Sequence, residues 1–443
     1  MSGLLDPILE KALAQDKANL EKSQIPMITV SASYKEDVKG MFGYPEDETI
    51  NDVVFSRAHY SMAAGVAIQA WGDHMDYKKA WVVDPTNYVS HKNWNSIELT
   101  EDIGKILARQ PLLKKLKDFV DRFGRSKLPI LGSITPPLFH LTENVTRPIL
   151  SFHIASGNIL AAQGRIIVQM ITDPHVRDEY LNNADKNNFY LLVFDDKTKT
   201  EVLEKAAILE KKIDPNRVIV TGPPVDPRII SARKNKHPWR SGPLKIAITT
   251  GGLGTNKKEI KQLLQQLLPQ LRKRPHPYEL LVYAGTHKDI YEMVLQMAEE
   301  KHVHAAGITA EDAKLRVIYH PQIVDANEIL IKYCFPWADG FISKPSGDMA
   351  YDAAASGSFI LTLQEWGEWE HNVRETFEQL GISRKAEVEH IVPQLEALTQ
   401  ARRKSQSWVE QAMNNALAID KLYLEGAKNI LAAYKQICTL FNL

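Results

Sequence analysis

"FISKPSGDMAYDAAASGSFILTL", residues 341–363, reads as a short apolar strand, a Lys-Pro-Ser-Gly turn, an alanine-rich helix and a second apolar strand. That order puts the turn at the carboxyl end of a parallel strand, where an open α/β sheet holds its ligands. Gly347 and the helix start suit a phosphate. Asp352, four residues after Asp348 on the same helical face, suits paired hydroxyls such as those of a ribose. Upstream, "AITTGGLGTNKKEI" sets Gly251, Gly252 and Gly254 between another strand and helix, with Asn256 placed to cap the helix and Glu259 three residues on. Lys257 stands where a dinucleotide fingerprint has its third glycine, and no Gly-Lys-Ser/Thr follows, so this turn is neither that fingerprint nor a P-loop. Alone it reads equally as a tight turn without ligand. Two such turns in one domain can grip opposite parts of one nucleotide.

Outward from these turns the chain divides. Strand-like runs at 25–33, 80–85, 164–173, 188–195 and 217–224, with helices between them, make the first half a parallel α/β sheet. Residues 226–243, rich in Pro, Arg and Lys, read as a linker, after which the α/β pattern restarts at Leu244; from about Ala386 the chain is helical to its end. The expected domains are 1–228, 229–385 and 386–443. A chain of 443 residues, 44% hydrophobic, is long enough to give each α/β half its own core. Lys plus Arg (54) balances Asp plus Glu (54), so no global field selects a nucleic-acid partner. Cys334 and Cys438 lack the spacing of a disulfide framework or zinc site, which fits a reducing cytoplasm. No run reaches the roughly 18 apolar residues of a spanning helix, which disfavours secretion and membrane spanning.

Five stretches, in chain order, carry a resemblance: "MITDPHVRDEY" (170–180), "VIVTGPPVDP" (218–227), "GGLGT" (251–255), "KPSGDMAYDAAASG" (344–357) and "LQEWGEWEHNV" (363–373). Across roughly residues 50–385 the chain resembles GT-B glycosyltransferases of family 28, the group of monogalactosyldiacylglycerol synthase and the peptidoglycan N-acetylglucosaminyl transferase. The resemblance implies an α/β GT-B fold: two Rossmann-like, doubly wound parallel-sheet domains facing an interdomain cleft, with a helical C-terminal tail. It implies inverting, metal-independent transfer of a hexose from a nucleoside-diphosphate sugar, UDP-linked, with no tightly bound cofactor. Carried over residue by residue, it assigns donor binding to Gly251, Gly252, Gly254, Thr255, Lys344, Ser346, Gly347, Asp348, Asp352, Glu370 and Asn372. His59 matches the loop histidine and Asp173 the first-domain aspartate, as the catalytic pair. The pattern departs from the family where a polar excursion (34–52) precedes His59, which lacks the glycine before it. It departs again at Asp348, a carboxylate that would repel a pyrophosphate, and at Glu368 and Trp369, which replace glutamines.

Histidine, with an ordinary pKa of about 6.5, suits the base that an acceptor hydroxyl needs. His59 reads equally as a histidine packed at a helix start. Asp84 and Asp173 both end strands, where cleft residues gather and where turn-forming aspartates are also common. His320 could approach the base or sugar or serve its loop. Lys257 and Lys258 read as solvated lysines at a helix start, Asp195 and Asp196 as a strand end and turn, and Trp366 and Trp369 as stacking or packing residues. The basic amphipathic helix at 109–127 reads either as a helix packed on the sheet or as a peripheral membrane contact serving a lipid acceptor. Two other functions fit the same fold: a nucleotide-sugar 2-epimerase and a non-catalytic GT-B-like binding protein.

Overall fold

The structure, a computed structural model, describes residues 7–32, 54, 56–89, 129–310, 312–401 and 406–443. The helix expected at 109–127 and the polar excursion at 34–52 lie outside the described residues. The chain forms two compact units, Met1–Pro227 with Leu422–Leu443, and Arg228–Lys421.

In the first unit, β1 (Ile25–Ile28), β2 (Ala80–Val83), β3 (Ile149–Ser151), β4 (Ile167–Met170), β5 (Phe189–Val193) and β6 (Val218–Val220) form a parallel sheet in the order β2-β1-β3-β4-β5-β6. Helices α1 (Pro7–Lys22), α2 (Arg57–Trp71), α3 (Pro129–Thr142), α4 (Ile154–Ala162) and α5 (Asp196–Ile208) accompany it. All five residues of β5, Phe-Tyr-Leu-Leu-Val, are buried, as expected of a parallel strand covered on both faces. β1 ends five residues earlier than the expected 25–33. Its continuation leaves the ladder because the Asp84 carboxylate takes the amides of Ser31 (2.7 Å) and Ala32 (3.2 Å).

In the second unit, β7 (Leu244–Thr249), β8 (Tyr278–Gly285), β9 (Ala305–Ala306), β10 (Leu315–Tyr319), β11 (Gly340–Ser343), β12 (Phe359–Thr362) and β13 (Ser383–Lys385) form a parallel sheet in the order β13-β12-β11-β7-β8-β10-β9. The helices are α6 (Pro227–Arg233), α7 (Lys257–Leu267), α8 (Lys288–Glu300), α9 (Ile323–Ile329), α10 (Met349–Ala355), α11 (Glu368–Gln379), α12 (Ile391–Thr399) and α13 (Trp408–Leu417). In α7, Ile260, Leu263, Leu264 and Leu267 are buried at helical spacing while Lys258 and Lys261 face water, which fixes the helix on the sheet. Each such aliphatic side chain contributes about 1.5–3 kcal/mol when buried.

Two expectations about the chain's organisation change. Residues 226–243, read as a linker, carry α6 and pack firmly. Arg233 donates to the carbonyls of Ala355 (3.0 Å) and Ala416 (2.9 Å), and Lys236 to those of Phe335 (2.7 Å) and Ala338 (2.5 Å). Burial pushes the Lys236 ammonium down to about 8. The helical segment at 386–443 is not one piece. α12 and α13 belong to the second unit, whereas α14 (Gly426–Leu440) joins the first. The Thr-Gly-Pro-Pro turn at 221–224 receives that returning chain: a Cβ on Gly426 would stand 1.9 Å from the Pro223 carbonyl, and one on Gly222 (φ 84°) 2.0 Å from that of Leu422. Asn429 Nδ2 then donates to the Thr221 carbonyl at 2.9 Å and Tyr434 Oη to that of Pro148 at 2.6 Å. Cys334 and Cys438 are both buried free thiols. Among the described residues no helix is long and apolar enough to cross a membrane.

Candidate functional site

The two turns singled out in the sequence follow adjacent strands, β7 and β11, and Thr249 Oγ1 at the end of one donates to Ser343 Oγ at the end of the other at 2.7 Å. Gly251 begins the first turn, where a Cβ would stand 3.4 Å from Thr255 Oγ1 and 3.7 Å from Lys344 Cδ. Gly251, Thr255 and Lys344 thus occupy one place at the carboxyl edge of the sheet. Gly254, at φ 60°, closes the turn through its amide to the Gly251 carbonyl at 2.9 Å, and Gly252 lies between them. Thr255 Oγ1 is buried without a hydrogen-bond partner among the described residues.

Asn256 does not cap α7 as expected. It adopts a left-handed backbone (φ 64°) that turns its side chain away from the helix amides, and its Nδ2 donates to the Glu259 carboxylate instead. The Asn-x-x-Glu spacing therefore serves another end. Glu259 Oε1 accepts the Gln364 amide at 3.1 Å and ties the loop after β12 to the start of α7.

Lys344 Nζ lies 2.5 Å from Glu370 Oε1, and Glu370 Oε2 accepts the Trp366 amide at 2.6 Å. Glu370 is 1% exposed, with both oxygens engaged. Ser346 Oγ donates to Asp348 Oδ1 at 2.6 Å and accepts the Met349 amide at 3.3 Å, and Gly347 links them. Asp348 and Asp352, both buried, are joined by the Asp352 amide donating to the Asp348 carbonyl at 2.9 Å. Asn372 lies in the second turn of α11, its carbonyl accepting from Thr376 Oγ1 at 2.9 Å. Trp369, in the first turn of α11, packs over the preceding Gly367. Lys257 is paired with Asp289 at 2.6 Å, and His320 Nδ1 accepts the Gln322 amide at 3.2 Å. One residue outside the sequence-based set joins the turn: His287 Nε2 lies 3.2 Å from the Gly251 carbonyl. Its neighbours "GTHKD" offer no motif that would have picked it out.

In the first unit, His59 lies in the opening turn of α2, its amide bonded to the Ser56 hydroxyl that caps the helix. Its Nδ1 is 3.2 Å from the Val30 carbonyl. A carbonyl only accepts, so this ring nitrogen is the donor of the pair. His153, just past β3, meets it edge-on at 5.2 Å between ring centroids. Asp84 is fully buried at the end of β2 and also accepts from the Thr86 amide (3.0 Å) and hydroxyl (2.6 Å). Burial raises its carboxyl to about 6 against these hydrogen bonds. Asp173, past β4, sits 3.6 Å from Arg177. Asp195 caps α5 by accepting the Thr198 amide at 2.7 Å, a turn role.

No protein-family model matches the chain, and no curated protein matches it. Solved structures do. The α,α-trehalose 6-phosphate synthase from Burkholderia multivorans is 12% identical with a TM-score of 0.50, covering 83% of this chain and 86% of that one. The UDP-GlcNAc 2-epimerase from Neisseria meningitidis, bound to UDP-GlcNAc, is 12% identical with a TM-score of 0.49 over 93% and 98%. MurG from Acinetobacter baumannii is 12% identical with a TM-score of 0.45 over 93% and 99%. The fold is GT-B. Likeness at this identity concerns the fold alone.

Proposed function

We propose that this GT-B chain is an inverting glycosyltransferase, taking a hexose from a UDP-linked donor held by the second unit. The observation that carries the reading is Thr255 Oγ1, a buried hydroxyl without a partner among the described residues, beside Gly251 and Lys344 ahead of α7. The side chain of Asn256 leaves the first-turn amides of this eleven-residue helix uncapped. Uncapped amides, the positive end of a helix dipole and a spare hydroxyl together suit a phosphate.

On this reading the pyrophosphate lies across Gly251, Gly252, Gly254 and Thr255, with Lys344 held beside it by Glu370. Ser346 and Gly347 complete the cradle, Asp352 takes the ribose hydroxyls, and Asn372 serves the sugar end. Ser346 orients the Asp348 carboxylate, the departure from the family pattern, through its hydroxyl. The amides and the lysine stabilise the departing UDP without a metal ion. His59, through Nε2, is the base for the acceptor hydroxyl, and Asp173 shapes the acceptor side with Arg177. The likeness to a UDP-GlcNAc 2-epimerase and to MurG is consistent with both the donor class and the fold. The enzyme would work in the cytoplasm on a small-molecule or lipid acceptor.

The test is turnover. The full chain is incubated with UDP-glucose, UDP-galactose and UDP-GlcNAc, with and without a lipid extract or water-soluble acceptors, and UDP and labelled products are followed. Acceptor-dependent UDP release supports transfer. An isomerised UDP-sugar formed without acceptor would make the protein an epimerase, and no turnover of any donor would leave the non-catalytic reading.

A further inference from the structure

At the amino edge of the second unit's sheet, opposite the turns after β7 and β11, lies a hollow of about 540 Å³. It is built from the segments entering β8 and β10 and the turn that follows α8. Arg272 and Arg274 line it from the first, Lys314 from the second, and His302 and His304 from the third, with Asp312 as the one carboxylate among the described lining residues. Arg272, Arg274, His302 and His304 are exposed, and none of them has an ion-pair or hydrogen-bond partner for its side chain among the described residues. Lys314 is held in place by donating to the Leu271 carbonyl at 3.0 Å.

Elsewhere in this unit half-buried cations are paired with carboxylates, Lys257 with Asp289 and Arg374 with Glu365 and Glu378. Here three permanent cations and two titratable rings line one concavity, with one opposing charge among the described lining residues. Such an arrangement is self-repelling until an anion enters, and guanidinium forks match phosphate oxygens two at a time. The volume falls within the range of small-molecule sites.

We propose that this hollow binds a ligand bearing two or more phosphate charges, at a site separate from the donor turns. Because a parallel sheet points all its strands one way, the hollow before β8 and β10 and the turns after β7 and β11 lie at opposite edges of the same sheet. The ligand therefore acts as an effector or anchor, not as a donor. The phosphates could belong to a soluble metabolite or to a lipid headgroup.

The experiment titrates inorganic tripolyphosphate into the full chain by calorimetry at low salt, with UDP present to fill the donor turns. In parallel, flotation is measured with phosphatidylcholine vesicles containing phosphatidic acid. The exposed pair Arg272→Ala/Arg274→Ala is compared with wild type, with UDP affinity and melting temperature as controls. Saturable tripolyphosphate binding that weakens at least 10-fold in the variant, with both controls unchanged, supports a soluble ligand; flotation alone lost in the variant supports a lipid headgroup. Tripolyphosphate and vesicle binding that are both absent, or both unchanged in the variant, overturn the proposal. Because the pair lies outside the donor turns, this result stands whether or not UDP binds.

Discussion

Lys344 Nζ sits 2.5 Å from Glu370 Oε1, a cation from the turn after β11 held by a carboxylate from the first turn of α11. Both side chains are largely removed from water, 13% and 2% exposed, so neither is easily replaced alone. Lys344→Met leaves a buried carboxylate without its partner, and the expected loss is about 3 kcal/mol. For a unit of this size that is a fall of roughly 6–12 °C in melting temperature. Lys344→Met/Glu370→Gln should recover most of it. Thermal melts of the two variants check this, and equal destabilisation by both would deny the pairing its role.

Thr255 separates folding from binding. Its hydroxyl is buried without a partner among the described residues, so Thr255→Val removes a polar group that nothing satisfies. The variant should melt at or above the wild-type temperature, with a gain of up to about 1 kcal/mol. UDP affinity should fall about 10-fold, the value of one hydrogen bond to a charged group. A lowered melting point with unchanged UDP affinity would place the hydroxyl in the fold.

His59 predicts the converse split. With Nδ1 donating to the Val30 carbonyl, Nε2 is the atom proposed as the base. His59→Gln should leave UDP binding intact while turnover falls by about 10²–10⁴. Steady-state rates and UDP titrations on the same preparation decide the matter. A variant that loses affinity and rate together would assign His59 to the donor.

Asp84 gives a pH dependence with a defined sign. Its folded value, about 6, lies above the ordinary value of 3.8. The folded state therefore holds this proton more tightly, and the stability this adds is complete below pH 4 and is lost as pH rises through 6. A shift of about two units corresponds to about 3 kcal/mol. Denaturant melts from pH 4 to 7 should show wild type losing stability relative to Asp84→Asn by that amount. Parallel curves would mean that Asp84 titrates normally.

The second unit was largely legible in the sequence because each turn sits between a buried strand and an amphipathic helix, a pattern that needs only local periodicity. What periodicity could not supply was the direction of side chains across the sheet. Glu370 reads as a ligand residue in a loop rich in acids, yet it turns inward to Lys344, a contact between positions 26 residues apart. Asn256 and Glu259 have the spacing of a cap, and only the left-handed backbone at Asn256 shows that they hold the β12 loop instead. β3, β9 and β13 escape because two or three residues are too few to show alternation. The return of α14 to the first unit rests on Gly222 and Gly426 meeting across about 200 residues, which no local signal encodes.

The central claim is that the turns after β7 and β11 together hold a nucleoside diphosphate. Calorimetric titration of the full chain with UDP, GDP and ADP tests it most directly, alongside Lys344→Met/Glu370→Gln and Thr255→Val. The account predicts saturable binding of UDP, weakened about 10-fold or more in each variant. Absence of heat with all three nucleotides in a correctly folded protein, or affinity that neither variant changes, would contradict it.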